Sequence, residues 1–156
     1  MDQSTDQALN NGDLSGITTY QAGIMQSSVN RTLQKVSDAA LRPYGISKMQ
    51  WMVIGVILDA GPSGARITDM AKTLDTTLPY LTNSINYLES KAIVQRLDNQ
   101  KDSRSKLVRI NPAFVPTCTE IEAILRQALR DSIYNYVDPQ DFRTYMKVLY
   151  KMYKIR

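Results

Sequence analysis

The feature that most narrows what this chain can fold into is the stretch from Ile67 to Arg109, ITDMAKTLDTTLPYLTNSINYLESKAIVQRLDNQKDSRSKLVR. Its first part carries two helical patterns separated by a polar turn. Ile67, Met70, Ala71 and Leu74 fall on one helical face, and Leu78, Leu81, Ile85 and Leu88 recur at intervals of three, four and three, the spacing of an amphipathic helix. Between them, Asp75-Thr76-Thr77 supplies the short oxygen-bearing side chains that cap a new helix, and Pro79 sits in a first turn, where a missing N–H is tolerated. A short helix, a tight turn and a longer helix predict a helix-turn-helix. The second part predicts a hairpin: Ile93 to Leu97 and Lys106 to Ile110 have strand composition and flank eight turn-forming residues, Asp98 to Ser105, with no apolar side chain. Two strands alone are unstable in water, so the hairpin must pack on the helices.

Composition removes several classes of function. At 156 residues the chain suits one domain with a real core, and 43% apolar with 22% charged residues is ordinary for a globular protein. No apolar run approaches the roughly 18 residues of a membrane span, and no basic, then apolar, leader opens the chain. The absence of histidine removes the commonest general base and a common zinc ligand. With Cys118 the single thiol, no disulfide can close within the chain and neither a Ser-His nor a Cys-His centre can form. We therefore expect no enzyme activity, no metal site, no cofactor and a cytoplasmic location. Nineteen basic against fifteen acidic residues leave +4, a mild bias toward polyanions.

The remaining chain supports the central stretch. Residues 1–15 are polar and are expected to be disordered. A long helix is predicted from Thr18 to Leu41, with Tyr20, Ile24, Leu33, Val36 and Ala40 inward, and Arg42-Pro43-Tyr44-Gly45 breaks it. Ser47 caps a predicted core helix over Lys48 to Asp59, apolar nearly all round through Trp51, Val53, Ile54, Val56, Ile57 and Leu58. Gly61-Pro62-Ser63-Gly64 is a loop signal. The paired helices then take Thr68 to Leu74 and Leu78 to Lys91. Beyond Asn111-Pro112 a long helix is predicted to about Tyr136, with Ile121, Ile124, Leu125, Leu129 and Ile133 inward. Asp138-Pro139 starts a last helix striped by Phe142, Tyr145, Met146, Leu149, Met152 and Tyr153.

This order resembles the MarR (multiple antibiotic resistance regulator) family of winged helix-turn-helix transcription regulators. Leu41-Arg42-Pro43-Tyr44-Gly45-Ile46-Ser47 with Gln50-Trp51 is similar to the family's lead into its second helix, and Ile67-Thr68-Asp69-Met70-Ala71 to the start of its helix-turn-helix. Leu88-Glu89-Ser90-Lys91-Ala92-Ile93-Val94-Gln95-Arg96 resembles the exit from its recognition helix, and Asp102-Ser103-Arg104-Ser105-Lys106 its wing signature. The resemblance implies a mostly α fold with a small β-hairpin wing: a winged helix-turn-helix over residues 47–110, with long dimerisation helices from both termini over 16–46 and 111–156. It further implies a homodimer on a pseudo-palindromic operator in double-stranded DNA, acting as a repressor released by a small aromatic or phenolic ligand.

On the second helix of the pair, the face away from Leu81 and Ile85 carries Thr77, Pro79, Tyr80, Thr82, Asn83, Asn86 and Tyr87. Asn suits adenine through a paired donor and acceptor, Thr suits bases or phosphates, and Tyr can donate to phosphate. Between Thr77 and Ser90 there is no Lys or Arg, a departure from family members that place a cation near Asn83 for the acid at the position of Asp102 to orient. Asp102 is left to Arg104 or to the turn. Charge sits on the hairpin: Arg96, Lys101, Arg104, Lys106 and Arg109 against two acids. Arg104 is the strongest candidate for an A·T-rich minor groove, with Lys101 and Lys106 on phosphates and Arg66 and Lys48 as looser phosphate candidates. By position in the family, Met25, Tyr44, Trp51 and Met52 are the candidates for a ligand cleft. Redox sensing by Cys118 is disfavoured, because that branch of the family places its sensing cysteine near the start of the chain. The alternative reading is a protein-interaction module, the same fold with its neutral helix face turned to a protein partner.

Overall fold

The computed structural model describes residues 15–99 and 106–155. The chain divides into two compact units between Lys35 and Val36, and the first helix, α1 (Thr19–Leu41), runs through that division. Its start is capped reciprocally. The Thr18 amide donates to Gln21 Oε1 at 2.9 Å, and the Gln21 amide donates to Thr18 Oγ1 at 3.2 Å. Tyr20 and Ile24, expected inward, are 72% and 48% exposed. Among the described residues of the first unit there is no second layer against which to bury them.

The second unit is built around α2 (Lys48–Asp59), whose Val53, Ile54 and Ile57 are fully buried. Ser47 and Gln50 close a capping box: Ser47 Oγ accepts from the Gln50 amide at 3.3 Å, and Gln50 Oε1 accepts from the Ser47 amide at 2.8 Å. Before it, Arg42–Tyr44 form one turn of 3₁₀ helix, and Gly45 at φ 67° stops it. The core then gathers Leu41, Ile46, Met70, Leu81, Ile85, Leu88, Val94, Val108 and Ile121 onto α2. Helices α3 (Ile67–Thr73) and α4 (Leu78–Ser90) form the predicted pair. Leu78, read as part of the inward stripe, is 47% exposed. It opens the first turn, and side chains on a helix lean toward its N-terminus, so this one points past the end of the core. Ser84 extends the buried face instead.

The hairpin strands are β2 (Val94–Asp98) and β3 (Lys106–Ile110), paired antiparallel with Val94 opposite Ile110 and Asp98 opposite Lys106. A third strand that the sequence did not announce, β1 (Ala65–Arg66), lies on the other edge of β3, with Ala65 opposite Val108. Two residues give no alternation to detect. Asn111 locks the root of the sheet. Its amide N–H donates to Ile93 O at 2.9 Å and its side chain to Ala92 O at 3.0 Å.

Helix α5 (Val115–Ser132) buries Cys118, Ile121 and Leu125. Ile124, expected inward, is 42% exposed, one step round the helix from that line. The helix also ends four residues before Tyr136, at Ser132, where Ile133 takes φ −142° and Tyr134–Tyr136 tighten into a 3₁₀ turn. Tyr134 packs on Phe142 with ring centroids 4.5 Å apart. Asp138 starts α6 (Pro139–Ile155) by accepting from the amides of Gln140 and Asp141 at 2.7 and 3.3 Å. Among the described residues, no helix is long and apolar enough to cross a membrane.

Candidate nucleic-acid interface

Each helix of the pair ends in the same backbone device. After α3, the Thr76 amide donates to Ala71 O at 3.0 Å and the Asp75 amide to Lys72 O at 3.3 Å, with Asp75 left-handed at φ 50°. After α4, the Ile93 amide donates to Leu88 O at 3.0 Å and the Ala92 amide to Glu89 O at 2.9 Å, with Ala92 at φ 57°. These are Schellman turns with a non-glycine residue at the left-handed position. The first aims the chain into α4, where Thr77 Oγ1 accepts from the Tyr80 amide at 3.4 Å. The second turns the chain straight into β2, with Leu88 and Ile93 both buried against the core.

That geometry leaves one face of α4 open. Thr77, Pro79, Tyr80, Asn83 and Asn86 are exposed and Thr82 is half-buried, so the structure brings these six predicted residues together on one surface. Tyr87 is taken out of the set. Its hydroxyl donates to Gly45 O at 2.6 Å, tying the C-terminal half of α4 to the turn after α1. A contact across 42 residues has no local signal.

The largest departure concerns charge. Although α4 carries no Lys or Arg, Arg96 of β2 reaches it: its Nη2 donates to Asn86 Oδ1 at 2.6 Å, and its Nη1 forms an ion pair with Glu89. Glu89 also accepts from the Arg96 backbone amide at 3.3 Å. The guanidinium at the face is thus balanced by a carboxylate. Lys106, a predicted phosphate ligand, is exposed and paired across the ladder with Asp98. Through that bond the ammonium holds the Asp98 carboxyl below its ordinary value of 3.8. Arg66 is exposed on β1, while the Lys48 amide donates to Asp38 at 2.9 Å. Lys101, Asp102 and Arg104 lie outside the described residues.

Of the four ligand candidates, Met25 belongs to the first unit and Tyr44, Trp51 and Met52 to the second. The Tyr44 hydroxyl donates to Glu120 Oε1 at 2.8 Å, and this bond to a carboxylate raises its pKa above 10.0. Trp51 packs on the core and Met52 is 38% exposed. A cavity of about 260 Å³ lies at the other end of α2, lined by Ile57, Leu58, Pro62, Arg109, Ile110, Pro112 and Val115. Cys118 is buried, and burial pushes its thiol pKa up. Among the described residues no cluster of acidic or thiol side chains could hold a metal ion.

Residues 44–105 match the MarR family. Among solved structures, Escherichia coli MarR carrying a Cys-to-Ser change, in complex with operator DNA, is similar at TM-score 0.74 and 24% identity, covering 83% of this chain and 91% of that one. Staphylococcus aureus MepR bound to DNA is similar at TM-score 0.75 and 18% identity, covering 90% and 100%. CouR from Rhodococcus jostii, bound to p-coumaroyl-CoA, is similar at 0.74 and 18%, covering 84% and 90%. The fold is therefore that of MarR-family transcription regulators.

Proposed function

We propose that this chain, whose residues 44–105 match the MarR family, is a dimeric, cytoplasmic, sequence-specific DNA-binding repressor released by a small molecule. The observation that carries the reading is the α4 face. Four exposed polar or aromatic side chains, the exposed Pro79 and one half-buried threonine stand on a helix whose opposite side is sealed into the core. A helix so fixed fits the major groove, and its Thr, Asn and Tyr groups match base edges and phosphates. Lys101, Asp102, Arg104 and Lys106 then belong to the wing. Two copies joined through the terminal helices set half-sites about one turn, roughly 10 base pairs, apart.

For the effector, Met25, Tyr44, Trp51 and Met52 remain the residues suggested by position. The cavity at the far end of α2 supports a second location, since its lining of Ile57, Leu58, Ile110 and Val115 suits a small apolar ligand and Ile110 stands on β3, in the wing. The competing reading, a protein-interaction module, draws on the neutralised charges: Arg96 is balanced by Glu89 and Lys106 by Asp98.

Titration with duplex from the intergenic region upstream of the coding sequence separates the two. A DNA reader shows affinity that falls linearly with log salt, each phosphate contact adding about 0.9 to the slope. A protein-interaction module shows no salt-dependent binding to any duplex. Within the DNA reading, Arg104→Ala weakens operator binding by about 1–3 kcal/mol with the dimer intact. Equal affinity of parent and variant across salt concentrations removes the wing from the mechanism.

A further inference from the structure

We propose that Arg96 fixes the orientation of the Asn86 amide, so that this position of the reading face acts as a hydrogen-bond donor only. The inference rests on the DNA-reading function proposed above and names a specificity device within it. Asn86 Oδ1 accepts from Arg96 Nη2 at 2.6 Å. Turning the amide over would set its NH₂ group against the guanidinium, donor against donor, so the orientation is held by a charge-assisted bond. Arg96 is itself held twice by Glu89, through its guanidinium and through its backbone amide. The paired contact of an asparagine with adenine needs oxygen and nitrogen presented together to the base edge. Here the oxygen faces β2, and the exposed NH₂ group donates to no described residue. Such a group can donate to N7 of either purine, but it gains a second acceptor only at guanine O6 and meets an acceptor at thymine O4, so the paired contact that singles out adenine is lost and guanine or thymine is favoured over adenine. Arg96 is thus a positioning residue. Its charge, balanced by Glu89, adds little general attraction for phosphate.

Two readouts on the full-length chain test this. In the first, bound duplexes are selected from a random pool with the parent, Asn86→Ala, Arg96→Met, Arg96→Lys and Glu89→Gln. The parent enriches guanine or thymine at one position of each half-site, and Asn86→Ala erases that preference. Arg96→Met frees the amide and raises adenine at the same position by about tenfold relative to the parent, a shift of the size one paired contact gives. Arg96→Lys, which keeps a donor, retains the parent pattern. Glu89→Gln exposes a net positive charge and strengthens binding to all sequences alike without altering the preference. A purely structural role for Arg96 would weaken binding uniformly and leave the base pattern untouched; that result, or a parent that prefers adenine over guanine and thymine at the position that Asn86→Ala relaxes, overturns the proposal. The second readout needs no DNA: the Asn86 side-chain amide resonances shift in Arg96→Met and stay near their parent values in Glu89→Gln. Unchanged resonances in Arg96→Met also overturn it. A parent that enriches no sequence at all removes the DNA-reading function, whereas enrichment indifferent to Arg96 removes only this device.

Discussion

Ala92 adopts φ 57° at the end of α4, a left-handed conformation that costs an L side chain roughly 1–2 kcal/mol. The two hydrogen bonds of the Schellman turn and the buried Leu88–Ile93 contact hold it there. Glycine adopts the same conformation without the Cβ penalty, though it loses more chain entropy on folding. The balance predicts that Ala92→Gly stabilises the protein by about 0.5–1 kcal/mol. Urea unfolding checks it: the midpoint rises at unchanged slope, and a lower midpoint sinks the argument. Cys118 gives a second prediction at this scale. Burial raises its thiol pKa, so at neutral pH the folded chain holds less thiolate than an exposed cysteine would. Iodoacetamide should label Cys118 far more slowly in the native protein than in urea. Equal rates would restore the thiol as a sensor candidate.

Among the elements, what was legible in the sequence is what is settled within one turn of chain. Ser47, Thr77 and Asp138 cap the helices they were expected to cap, because each cap bonds an amide two or three residues on. The open face of α4 followed from period alone. Contacts that depend on the chain returning were not legible: Tyr87 spent on Gly45, and Arg96 brought to Asn86 by the turn between α4 and β2. The exposed Leu78 shows the same limit from the other side, since period places a residue on a face but not at the end of the core. Strand β1 belongs to this class. It is seated by Gly64, at φ 76°, where an added Cβ would lie 2.9 Å from Val108 O. Gly64→Ala is therefore expected to destabilise by about 1–3 kcal/mol and to loosen β1 from β3. Faster amide exchange at Arg66 and Leu107 would report it; unaltered exchange and stability would show that the turn relaxes. The hairpin tip has a pH signature. Because Lys106 depresses the Asp98 pKa, the pair's contribution is complete above 3.8 and is lost as pH falls through the depressed value. In Lys106→Met the Asp98 carboxyl should titrate at a higher pH, and an unchanged titration would dissolve the pairing.

For the molecule as a whole, the unspent apolar surface of α6 is the main demand. Tyr145, Met146, Leu149, Met152 and Tyr153 recur along one side of the helix, and all are at least 43% exposed. A stripe at helical spacing that remains uncovered in one chain is the form an obligate interface takes before its partner is added. A second copy of the same chain is the occupant the proposed function requires, since one α4 face reads only one half-site. Charge placed in the stripe should then act at a distance from the DNA. Leu149→Glu, central in the stripe and remote in sequence from α4, is predicted to halve the mass measured by light scattering. It should leave binding to an isolated half-site duplex unchanged. Affinity for the full operator should drop by on the order of 10²–10⁴-fold, the factor lost when two linked contacts become independent. The comparison of half-site with full-site duplex decides the matter. A variant that stays dimeric places the interface elsewhere, whereas a monomer that keeps full operator affinity would mean that DNA, and not α6, brings the two reading helices into register.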